Sequence, residues 1–120
     1  MDKFWIWLGA LNAFLAVAAG AFGAHGLKER VDAAMLEVWK TGAQYHMYHA
    51  LGMLAVAYVA AQKPAAGWAG WAMLAGIVLF SGSLYALALT GRGWFGAITP
   101  FGGLAFLAAW AILAIVALRS

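Results

Sequence analysis

An all-α membrane protein is the fold class the sequence predicts, and three observations predict it. Hydrophobic residues make up 67% of the 120 and charged residues only 9%, far from the roughly half apolar and quarter charged composition of soluble domains. Uncharged runs of membrane-spanning length recur along the chain. Seven Trp and fifteen Gly supply rings suited to the bilayer interface and small residues that let helices approach closely. The length allows one domain, residues 1–120. The absence of cysteine removes disulfides, thiolate metal sites and a cysteine nucleophile. A net charge of +3 comes from scattered Lys and Arg that form no basic stripe, so no nucleic-acid partner is expected.

The first span is predicted over 4–24, an uncharged run long enough to cross a hydrocarbon core of about 30 Å and too long for the apolar region of a typical signal peptide. Gly9, Ala13, Ala16, Gly20 and Ala24 recur at steps of three and four, a small-residue face for another helix. Asn12 is the one strongly polar side chain in the run and needs an interhelical hydrogen-bond partner. Six of the eleven charged residues follow, Lys28, Glu29, Arg30, Asp32, Glu37 and Lys40. With Leu27, Val31, Ala34, Met35 and Val38 on the opposite stripe, they predict an amphipathic interfacial helix over about 27–40. Trp39 would anchor it, and Thr41-Gly42 would turn the chain into the membrane.

The second span is expected over 45–61, closed by Gln62, Lys63 and Pro64. Trp68 and Trp71 open a third over 68–90 at the face that carries Trp5 and Trp7, interrupted by Ser81-Gly82-Ser83 and Tyr85. Gly91-Arg92-Gly93 predicts a tight turn, and Thr99-Pro100 an N-cap and first residue for a fourth span over 100–118. Four crossings place Lys3, Lys63 and Arg119 at one face and Lys28, Arg30, Lys40 and Arg92 at the other, too even a division to orient the chain.

Tracing four crossings brings His25, Gln44, Tyr45, His46, Tyr48, His49, Arg92 and Thr99 to one membrane face, with Ser83 and Tyr85 a turn or two inside it. Imidazoles are common metal ligands, so His25, His46 and His49 are the candidates for a metal, and the cluster as a whole for a haem, quinone or lipid headgroup. The competing reading is that these groups cap helices and hydrogen-bond one another, with no cofactor, and it is preferred because no carboxylate in any span can complete a metal site. No HExxH, Walker or GxSxG motif occurs, and no pair of membrane carboxylates could relay protons. The expected function is therefore non-enzymatic, structural or lipid-interacting. Membrane lipids are the expected partners, and the small-residue faces, including Ala105 and Ala109, suit packing within the chain or between copies.

Four segments, Gly20-Ala21-Phe22-Gly23-Ala24-His25-Gly26, Thr41 to Leu51, Leu79-Phe80-Ser81-Gly82-Ser83-Leu84-Tyr85 and Thr99-Pro100-Phe101-Gly102-Gly103, carry a resemblance over essentially the whole chain. It resembles the domain-of-unknown-function 423 family of small bacterial inner-membrane proteins, related to the eukaryotic transmembrane protein 256. The resemblance implies a four-helix multi-pass protein in the inner membrane with no assigned activity. It also implies a Tyr-x-x-x-His motif matched by Tyr45 and His49, which makes His46 the outlying member and His49 the one expected to matter more to the fold.

Overall fold

A computed structural model describes residues 2–119, and among them it contains helices and turns but no strand. Helix α1 runs over Lys3–His25, capped by the Asp2 carboxylate, which accepts from the Phe4 N–H at 3.0 Å. A short 3-10 turn, Leu27–Glu29, leads to α2, Ala33–Ala60, which is 28 residues long and capped by Asp32 accepting from the Met35 N–H. Pro64 opens a continuous helical stretch made of a 3-10 turn, α3 (Gly67–Gly76), a π segment (Ile77–Ser81) and α4 (Gly82–Thr90). Gly91 ends it in the left-handed conformation at φ 70°, its N–H donating to the Leu87 carbonyl, the geometry that only glycine adopts without cost. After the 3-10 turn Gly93–Ala97, α5 spans Thr99–Leu118.

Three of these stretches, Lys3–Glu29, Pro64–Thr90 and Gly93–Leu118, are long and apolar enough to cross a membrane. The expected second span is not among them, and the expected interfacial helix over 27–40 is absent as a separate element. Residues 33–40 are the first turns of α2, which continues without a break through Thr41-Gly42. Gly42 does not turn the chain because it serves as a contact: a Cβ there would lie 3.1 Å from the Tyr85 ring. Of the charges on this stretch, Asp32 caps α2, and Glu37 pairs with Lys40 at the surface at 3.7 Å.

Helix α2 is the element around which the others pack. It lies antiparallel to α1 along their full length, with Asp2 against Ala57, Gly9 against the Ala50 carbonyl, Asn12 against His46 and Ala19 against Trp39. Gly9, Ala16 and Gly23 form the buried small face of α1, while Gly20 and Ala24 of the expected stripe point away. Gly23 takes the last position because a Cβ there would lie 2.7 Å from the Trp39 ring. The close crossing between α5 and the π segment rests on Gly102, where a Cβ would come 2.3 Å from the backbone nitrogen of Phe80. The main core gathers Trp5, Met53, Met73, Phe106 and Leu113 among others. At the end where α1 begins and α5 stops, Trp5 and Trp71 meet edge to face at 5.1 Å, and the Lys63 ammonium donates to the carbonyls of Ala117 and Arg119. The expected placement of Trp5 and Trp71 together therefore appears in the packing.

Candidate functional site

A polar node joins three helices. The Asn12 amide group donates to the Leu8 carbonyl at 2.9 Å, which turns its oxygen toward His46. His46 Nε2 lies 3.0 Å from that oxygen, and its Nδ1 lies 3.0 Å from the Tyr85 hydroxyl. An amide oxygen only accepts, so the Nε2–H of His46 donates to it, and Nδ1 accepts from the Tyr85 O–H. The Tyr85 ring packs on Trp39 at 4.5 Å, and the Trp39 N–H donates back to the Ala19 carbonyl of α1 at 2.7 Å. Trp39 is thus a buried tie between α1, α2 and α4, where an interfacial anchor had been expected.

One turn on, His49 meets α5 where His46 meets α1 and α4, and it holds the opposite tautomer. Its Nδ1–H donates to the Tyr45 carbonyl at 2.7 Å, leaving Nε2 to accept from the Trp110 N–H at 3.0 Å. The imidazole stacks on Phe106 at 3.5 Å and 6°. Beside it a cavity of about 400 Å³ opens between α2, the π segment and α5, lined by Tyr45, Tyr48, His49, Phe80, Phe106 and Trp110, with Gly103 at its wall. Its surface is almost wholly ring and methylene.

Serine chemistry here is helix-to-helix bonding. Ser81, in the π segment, donates to the Gly42 carbonyl at 2.7 Å. Ser83 donates to the Phe80 carbonyl, so its 2.6 Å contact with Thr99 has the Thr99 hydroxyl as donor. Thr99 is therefore not the N-cap of α5 but its first residue, with its hydroxyl directed at α4. Among the described residues no buried side-chain nitrogen or oxygen lacks a partner.

The ten candidate residues do not form one cluster. His46 and Tyr85 form the first node with Asn12. Tyr45, Tyr48 and His49 surround the cavity, where Gln44 donates to the Tyr48 hydroxyl at 2.6 Å. Ser83 and Thr99 pair separately. His25, the last residue of α1, and Arg92, in the turn that follows α4, are exposed and join neither node. No group of three or more His, Cys, Asp or Glu among the described residues is placed to hold a metal, so the three histidines do not converge. Both nodes also lie deeper than the expected mouth position. Because α2 starts at Ala33, His46 sits about 20 Å along it, facing Asn12 about 14 Å into α1 at 1.5 Å per residue.

Sequence reasoning did not place Trp39, Phe80, Phe106 and Trp110 at the nodes, where Trp39 packs on Tyr85, Phe80 on Tyr45, Phe106 on His49, and Trp110 donates to His49. Their only sequence signal was aromatic, and aromatic residues in such a chain read first as interface anchors.

The sequence profile of the family described as "Protein of unknown function (DUF423)" matches residues 19–103. The chain belongs to this family. Similar curated proteins include the UPF0382 membrane protein YwdK of Bacillus subtilis, 53% identical over 98% of both chains. The UPF0382 membrane protein SSP2132 of Staphylococcus saprophyticus is 50% identical over 94% of this chain and 95% of its own. That of Staphylococcus aureus strain USA300 is 46% identical over 98% and 97%. No solved structure matches. Its kinship with relatives named as membrane proteins and its three apolar helices together support a membrane protein.

Proposed function

We propose that this chain is a non-enzymatic, multi-pass protein of the inner membrane that crosses the bilayer four times and accommodates a lipid chain in the cavity beside His49. The observation that carries the functional part is the state of the two imidazoles. All four ring nitrogens are already engaged with protein groups, so neither ring offers a free base or a free ligand position. The nodes hold helices together, and the open space beside them has apolar, ring-faced walls suited to an acyl chain.

The fourth crossing is α2. Its polar side chains lower its hydropathy, but its side-by-side register with α1 from Asp2–Ala57 to Ala19–Trp39 carries it through the same depth. The imidazoles of His46 and His49 are tolerated there because they bond inside the bundle. An impermeant thiol reagent acting on Glu37→Cys and Gln62→Cys should label them from opposite sides of the membrane; labelling from one side overturns the fourth crossing. For the cavity, native mass spectrometry of protein released in mild detergent should find retained lipid that is lost in Gly103→Phe, whose added ring enters free space. A stoichiometric haem or metal lost on His49→Ala would overturn the lipid reading.

A further inference from the structure

The outward surfaces of α1, α5 and the Pro64–Thr90 stretch share one character at mid-helix. Phe14, Leu15 and Val17 on α1, Val78 on the π segment, and Leu104 and Leu107 on α5 are exposed and wholly apolar. Helix α2 differs. Beyond its charged first turns, its exposed positions are Gln44, Tyr48, Leu51, Ala55 and Tyr58, a line at steps of three and four, with Tyr45 beside it. Tyr48 is 48% and Tyr58 66% exposed. Tyr45 and Tyr48 also rim the cavity beside His49, but the bonds that satisfy the rings of His46 and His49 do not reach the outward Gln44–Tyr48 pair.

At the depth set by the α1 register, Gln44 lies level with the middle of α1, in the hydrocarbon. One N–H of its amide donates to the Tyr48 hydroxyl. Its carbonyl oxygen, its second N–H and the Tyr48 proton have no partner among the described residues. In water such groups are satisfied by solvent, but in the bilayer core each is costly.

We propose that this line on α2 is an interface with a second copy of the chain, paired about a two-fold axis along the membrane normal. The proposal rests on α2 crossing the bilayer. Two observations favour a second copy over other occupants. A primary amide carries donor and acceptor together, so Gln44 satisfies its own counterpart across a two-fold, where identical residues meet. Every copy also inserts at the same depth and direction, bringing the two Gln44–Tyr48 pairs level. A lipid chain at that depth has neither donor nor acceptor to offer. Small Ala55, one turn beyond Leu51, lets the two backbones approach.

The native absence of cysteine makes the test direct. In native membranes, Leu51→Cys and Ala55→Cys should give an oxidatively cross-linked dimer, while Phe14→Cys and Val78→Cys, exposed on other faces, should not. Adding Gln44→Leu to Leu51→Cys should diminish the dimer band, because the polar complementarity is removed. If the face meets lipid instead, Gln44→Leu leaves cross-linking unchanged, and native mass spectrometry finds a monomer. Cross-linking equal on all faces, or a complex with a different protein at this line, also overturns the proposal. The Glu37 and Gln62 labelling separates the two levels: labelling from opposite sides with no cross-link sinks the dimer alone, whereas labelling from one side removes its premise.

Discussion

His46 and His49 lie one turn apart on the same helix, are equally buried at 5% and 4% exposure, and hold opposite tautomers for opposite reasons. His46 is fixed by two side chains from two other helices, and among the described residues the Asn12 oxygen and the Tyr85 hydroxyl have no other hydrogen-bond partner. His49 is fixed by a carbonyl of its own helix and by one indole at the rim of a cavity. The first histidine is a strut and the second is a wall. What decides between these roles is which helices flank each side of α2, and that depends on inter-helix register, not on the residue.

The largest expected effect follows from His46→Leu. It leaves the Asn12 oxygen without its donor and the Tyr85 hydroxyl without its acceptor, and an orphaned buried polar group costs about 1–3 kcal/mol. A clear fall in thermal unfolding temperature in mild detergent is expected. The double variant Asn12→Leu/His46→Leu should cost less than the two single changes added, since each single change orphans the other's partner; additive losses would show the bond contributes nothing.

His49→Leu should cost less, because the Tyr45 carbonyl keeps its place in the helix and one group, the Trp110 N–H, is orphaned where His46→Leu orphans two. This inverts the order expected from the Tyr-x-x-x-His motif, and a larger loss at His49 than at His46 would reverse the comparison. Nitrogen NMR of the two rings sharpens it without mutation: His46 should report a protonated Nε2 and His49 a protonated Nδ1. Smallest are the glycine changes. Gly42→Ala must push the Tyr85 ring by a few tenths of an ångström, whereas Gly103→Ala, with nothing within 4 Å, should leave unfolding unchanged.

Much of the fold was legible because its signals are local. The bounds of α1, the Gly91 turn and the need of Asn12 for an interhelical partner each follow from a few adjacent residues. The course of α2 was not legible, since Thr41-Gly42 reads as a turn unless one knows that a tyrosine forty residues away packs on the glycine. The site failed for the same reason. Placing Gln44 to His49 at the head of a span put them at the membrane face, and the register that sets them level with the middle of α1 is a property of the pair of helices. His25 was grouped with the other histidines by topology alone, and a helix of known length ends too far from Asn12 for that grouping to hold.

The π segment Ile77–Ser81 bears on how the chain tolerates changes in length. A stretch bonded i to i+5 holds one residue more per turn than an α-helix, and Val78 within it is 62% exposed. Removing Val78 would let the segment close into regular helix while α3 and α4 keep the faces they present to α2 and α5. Removing Ala72 instead would rotate one half of the stretch by about 100° relative to the other, carrying Tyr85 away from His46. Of all single-residue deletions in this stretch, the one at Val78 should be the best tolerated, as read by the yield of folded protein extracted from membranes.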